Sequence, residues 1–242
     1  MLFSECSGGG GKLMKHESVG VRRHWFLWVF RGSALLHFVT VLFVMFVLFQ
    51  LSQGSWLKRF RFMQANEVLV TISWISILIA VLSILAVFTI LLFTLDRQYR
   101  VILQWGWFIH LTGSLSLFIH VFIQMFVYPL LMKMAWETTN PLLFHHLDDW
   151  EHLLVPVISV FVPSCWAVGG LIYTAVMFQS PGPSHWLHWW SLLVWGMVLT
   201  GAVLVRWIGS AVVFWQGAAI LLFVPWLWYA AEDMNPIGNE MD

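Results

Sequence analysis

The sequence predicts an all-α integral membrane protein, a bundle of six transmembrane helices. Three observations lead to that class. Of the 242 residues, 60% are apolar and only 10% are charged, against about 25% charged in a soluble domain. The apolar residues form runs longer than the roughly 20 needed to cross a hydrocarbon core about 30 Å thick. The few charges gather at the ends of those runs. Helices follow, because an open strand in lipid would leave its amides without partners.

Residues 1–23, MLFSECSGGGGKLMKHESVGVRR, lack the apolar centre of a secretory signal and are too glycine-rich for an amphipathic transit helix. They read as a flexible, weakly basic tail. The first span is expected over about 25–51, preceded by Arg22 and Arg23, with Arg31 near its start placed to snorkel towards headgroups. SQGSWLKRFRFMQAN follows as a basic, aromatic connection suited to the interface. The second span, about 68–95, carries no ionisable group and ends at the polar DRQYR.

The third span, about 101–131, differs in carrying Gln104, His110, His120 and Gln124. The fourth, about 153–179, contains Pro156 and Pro163, which bend a helix or free backbone carbonyls. A longer loop is expected between these two, at about 132–152. After SPGPSHW come a fifth span at about 187–205 and a sixth at about 209–230, with Arg206 in the turn between them. The membrane domain thus covers 24–231 and leaves an acidic C-terminal tail at 232–242.

Six spans put both termini on one side. That side holds Lys12, Lys15, Arg22, Arg23, Arg31, Arg97 and Arg100, the other Lys58, Arg59, Arg61, Lys133 and Arg206. The excess favours cytoplasmic termini by the positive-inside rule. The 17 tryptophans, many near span ends, suit interfacial belts. A net formal charge of zero points away from nucleic acid. The expected partners are the lipid bilayer and other subunits of a membrane complex. Cys6 and Cys165 lie in environments too different to form a disulfide framework.

Ionisable groups in mid-membrane are costly, so His37, His110 and His120 are candidates for a role. Imidazoles facing each other from neighbouring helices can supply both axial ligands to a haem iron. Helical rotation tests the two-haem version. His110 and His120, ten residues apart, fall about 80° apart on the wheel. His24 and His37 also fall on different faces. A single haem between His37 and His120 is the version left open, and cross-helix polar packing by the same histidines is its alternative.

Short patches resemble the membrane anchors of succinate dehydrogenases and fumarate reductases. They are RRHW at 22–25 with His37 following, LTG at 111–113 with His120 following, and GGLIY at 169–173. The resemblance implies b-type haem held by histidines near a quinone. The four-ligand set is not reproduced, since span two has no histidine and Trp166 stands where the last patch would offer a ligand.

A second candidate site is PLLFHHLDDWEHL, residues 141–153. Thr139 or Asn140 can cap a helix with Pro141 in its first turn. On that helix His145, Asp149 and His152 recur at spacings of four and three, which places them on one face. Imidazole with carboxylate suits a transition metal such as Zn, Fe or Cu. Asp148 and His152 are similar in spacing to the copper-binding segment of the membrane-bound methane and ammonia monooxygenases, although the further histidine of such a site is not evident. Acidic residues near a helix start are also favoured by the helix dipole alone.

Three functions are therefore expected in competition. The first is a multi-pass membrane subunit of a haem- or quinone-linked electron-transfer complex. The second is a non-catalytic assembly or scaffold subunit. The third is a membrane metal site for oxidation or for metal or proton transport at residues 145–152.

Overall fold

The computed structural model describes residues 10–51, 53–138, 141–180, 183–208 and 212–233, and among these it is almost entirely helical and has no strand. Helix α1 (Gly10–Phe43) continues through a π-helical turn, Val44–Leu48, to Leu51. Then come α2 (Trp56–Ala65) and α3 (Glu67–Thr94). Helix α4 (Arg100–Phe122) passes through a second π turn, Ile123–Val127, into Tyr128–Thr138. Helix α5 starts as Pro141–Pro156 and passes through a third, Val157–Phe161, into Val162–Gln179. Helices α6 (His185–Ile208) and α7 (Val212–Asp233) complete the chain. The tail at 1–9, the Thr139 or Asn140 cap, the start of the sixth span at 209–211 and the tail beyond Asp233 lie outside the described residues.

Six of these helices are long and apolar enough to cross a membrane. Each packs against the next in the chain, and α7 closes the circuit by packing on α1. Short antiparallel connections account for the sequential neighbours. Aromatic side chains fill the space within the ring. Phe88 of α3 lies against His110 of α4, Tyr173 of α5 and Trp195 of α6. Trp195 in turn meets Phe223 of α7, and Phe223 meets His37 of α1. Every helix of the ring thus contributes to one core.

Prolines interrupt the helices where neighbours can compensate. Pro163 has no N–H to offer the carbonyl four residues back, that of Ser159. The Gln216 side-chain amide donates to that oxygen at 3.2 Å. Trp190 Nε1 donates to the Leu222 carbonyl at 2.8 Å, linking α6 to α7 one residue after the Leu221 carbonyl that Pro225 leaves without its N–H. Pro156 and Pro129 each adjoin a π turn, a common form of local helix adjustment.

The apolar stretches of α4 and α5 are drawn out well past one bilayer. They form part of helical segments of 42 and 38 residues, about 63 and 57 Å long at 1.5 Å per residue. The region expected as a loop at about 132–152 is consequently two helices, Tyr128–Thr138 and Pro141–Pro156, extending beyond the ring as a hairpin. Helix α2 packs against this hairpin. Together they form a cap with its own small core of Phe60, Met132, Ala135 and Leu147.

Candidate functional site

The α4–α5 seam sets the position of His110. A Cβ at Gly169 would lie 2.9 Å from the Gly106 carbonyl oxygen, and one at Gly113 would lie 2.8 Å from Cys165 Cβ. Glycines at these places let the two backbones approach closely, as small residues do between membrane helices. The LTG and GGLIY patches both lie on this seam, Gly113 opposite Cys165 and Gly169 opposite Gly106 and His110. His110 is fully buried beside it, stacked on Phe88 at 4.1 Å and on Trp166 at 5.8 Å between ring centroids. Neither ring nitrogen reaches hydrogen-bond geometry with a protein group.

That imidazole is a poorly satisfied polar group inside an aromatic stack, with the Trp166 backbone beside it short of full hydrogen-bond geometry. Leaving such a group without a partner costs about 1–3 kcal/mol, and an apolar ring of similar shape removes the penalty. The His110→Phe variant is accordingly expected to unfold at the same temperature as the wild type or a few degrees higher. Thermal unfolding of the purified protein measures this, and a large drop would show that the imidazole makes a contact the stack needs.

His37 sits differently. Its Nδ1 lies 2.8 Å from the Ser33 carbonyl oxygen, and a carbonyl only accepts, so this nitrogen carries the proton. Nε2 keeps its lone pair in that tautomer. The ring belongs to a polar stripe between α1 and α3, in which Ser33 Oγ meets Ser83 Oγ at 3.0 Å and Thr40 Oγ1 donates to the Ser76 carbonyl at 3.2 Å. Hydroxyls at helical spacing satisfy one another across the gap.

His120 is also buried, but it packs on Trp74 of α3, its ring centroid 6.0 Å away. Helix α3 packs between α1 and α4. His37 and His120 therefore occupy different gaps and are not brought face to face. His37 and His110 share the continuous aromatic core, with Phe223 and Trp195 between them.

The 145–152 cluster lies on the exposed surface of the cap. His145 Nε2 is 3.8 Å from Asp149 Oδ2, and His152 Nε2 is 3.7 Å from Asp148 Oδ2. The segment thus forms two exposed pairs, each four residues apart, and does not gather His145, Asp149 and His152 into one set. Among the described residues no three His, Cys, Asp or Glu side chains are grouped to hold a metal ion. Exposed pairs of this kind add little stability.

Glu151, in the same stretch, has a more definite task. Both its oxygens lie within 2.9 Å of Arg59 Nη1, and the Arg59 guanidinium rests over the Trp56 ring at 5.0 Å. This pair joins α2 to the hairpin. The sequence signal was present in the spacing of Trp56, Phe60 and Met63, one face of an amphipathic helix.

At the opposite end, Arg31 does not merely reach for headgroups. It pairs with Glu232 at 3.0 Å and lies over Trp228. Asp233 accepts from the Ser184 backbone N–H at 2.5 Å, tying the end of α7 to the start of α6. Glu232 and Asp233, expected in the acidic tail, are the last helical turn.

No family model, curated protein or solved structure matches this chain.

Proposed function

We propose that this chain is a multi-pass integral membrane protein, the non-catalytic membrane subunit of a larger assembly, with both termini in the cytoplasm and the cap as its contact with a partner. The observation that carries this reading is the packed interior. Aromatic and imidazole side chains from all six ring helices meet in one continuous packed core, which supports a structural role for the bundle. The cap meanwhile presents a mixed surface, with Trp150, Leu153 and the exposed His–Asp pairs. Aromatic groups among polar ones are typical of protein contacts. Large apolar side chains such as Ile79, Leu82, Phe108 and Ile119 cover the outside of the ring, which supports lipid as its solvent.

A redox subunit is the second reading, favoured by one specific feature. The Ser33 carbonyl holds the His37 Nδ1 proton, which is how metal-binding imidazoles are commonly oriented. The absorbance spectrum of protein purified from its own membranes separates the two. The scaffold reading expects no Soret band, and His37→Gln, His110→Gln and His120→Gln proteins that co-purify with the same partner as the wild type. A Soret band that disappears in His37→Gln alone would reverse the order.

A further inference from the structure

Four connections join the ring to the cap, and burial lapses along each. Phe60 is the buried residue of α2. Among the described residues the next buried one is Leu48 on the α1 side and Val70 of α3 on the other. On α4 the buried positions of the ring end at Val121 and those of the cap begin at Met132, with none of residues 122–131 buried. On α5 the gap runs over 148–161, between Leu147 and Val162. The cap core of Phe60, Met132, Ala135 and Leu147 is therefore separate from that of the ring.

Each connection also breaks helical regularity within its gap. Before α2 the chain turns at Gly54, whose φ of +87° favours glycine. After α2 the backbone leaves the helix at Asn66, with φ −129°. Helices α4 and α5 instead carry π turns, in which the Tyr128 N–H donates to the Ile123 carbonyl and the Val162 N–H to the Val157 carbonyl, five residues back instead of four. Proline explains their positions. Pro129 and Pro163 offer no N–H to the carbonyls of Met125 and Ser159, and each of those lies inside a π turn.

Packed bodies linked by irregular, unburied segments move against each other more readily than they deform. Inside the cap, Glu151 pairs with Arg59 at 2.7 Å, and Trp56 and Phe60 meet Tyr128 and Trp136. Back towards the ring, Phe62 rests on the cluster of Val47, Leu48 and Val70, and the Gln216 amide braces the Ser159 carbonyl. We infer that the cap rocks on the ring as a rigid body, bending at Gly54, Asn66 and the two π turns while its own core stays packed. The surface bearing Trp150 and the exposed His–Asp pairs rides on this body, so its angle to the ring is adjustable.

The test uses the full-length protein in lipid nanodiscs, with Cys6→Ser and Cys165→Ser so that introduced cysteines alone carry spin labels, all at exposed positions. Distances from pulsed electron paramagnetic resonance are expected to be narrow within the cap (Arg61→Cys with Asp149→Cys) and within the ring (Trp28→Cys with Trp105→Cys). Between the two bodies (Asp149→Cys with Trp207→Cys) the distribution should be clearly broader. Deleting Phe126 and Val160 removes the extra residue of each π turn and returns both helices to ordinary α-helical register. The cap-to-ring distribution should then narrow to the width of the other two. Gln216→Leu, which removes the brace, should speed amide exchange over 157–161 about fivefold, the factor one hydrogen bond supplies.

A cap-to-ring distribution as narrow as the ring's own would overturn the inference, and so would breadth that survives both deletions. Equal breadth within the cap would overturn it too, since the cap would not be one body. Should the deletion protein fail to fold, amide exchange in the wild type decides. Residues 123–127 and 157–161 are expected to exchange faster than the helices on either side, and uniform protection sinks the hinges. The rocking follows from the fold alone, so its failure leaves the scaffold and redox readings where they stand.

Discussion

Replacing Gly170 by alanine is expected to cost the protein about 3 kcal/mol, the upper end of the usual cost of overpacking. A Cβ at this position would lie 2.2 Å from Trp195 Cδ2, well inside contact distance. Trp195 cannot step aside freely, because its ring is held by Phe88, His110 and Phe223. Thermal unfolding in detergent should show a fall of roughly 10 °C, by the usual relation between stability and melting temperature. Gly196→Ala is the control, since a Cβ there meets nothing within 4 Å. Its expected change is neutral or slightly stabilising, as alanine is the better helix former. Adding Trp195→Leu to Gly170→Ala should recover part of the loss. If Gly170→Ala melts with the wild type, the core is not packed as described.

The second large effect is expected in the cap. Glu151→Ala removes the carboxylate that faces Arg59, whose side chain is only 17% exposed. A mostly buried guanidinium that loses its carboxylate but keeps its other contacts costs about 2 kcal/mol, less than a fully buried charge and more than a surface pair. The loss should be local. Hydrogen exchange over 56–65 and 128–156 is expected to accelerate roughly tenfold or more, with α6 and α7 unchanged. Exchanging the two residues, Arg59→Glu with Glu151→Arg, should restore part of the protection. Unaltered exchange in Glu151→Ala would mean that the cap is held by its apolar core alone.

The two regions differ in how readable they were. Apolar runs and terminal charges located all six long helices, because length and apolarity are local properties of the chain. The hairpin was expected as a loop because its polar residues dilute the apolar pattern. Yet Met132 and Ala135 sit three apart and face Leu147 and Phe60, a contact no single segment reveals. Arg59 looked like one of three interfacial cations and proved to be a structural partner of Glu151.

The candidate ligands show the same division. His145, Asp149 and His152 share a helix, so their spacing could be computed, but the torsions of exposed side chains place His145 with Asp149 and His152 with Asp148. His37 and His120 lie on separate helices, and the partner of each depends on which helices become neighbours.

By itself the sequence determined the class: helices, six of them long and apolar enough to cross a membrane, because backbone satisfaction in an apolar run leaves little else. Tertiary structure alone decided that α3 separates His37 from His120, that glycines of α4 and α5 enclose His110, and that aromatic rings fill the centre. Those outcomes depend on shape complementarity between residues far apart in the chain. Hydropathy records how apolar a residue is, and it carries no record of which side chain must make room for which.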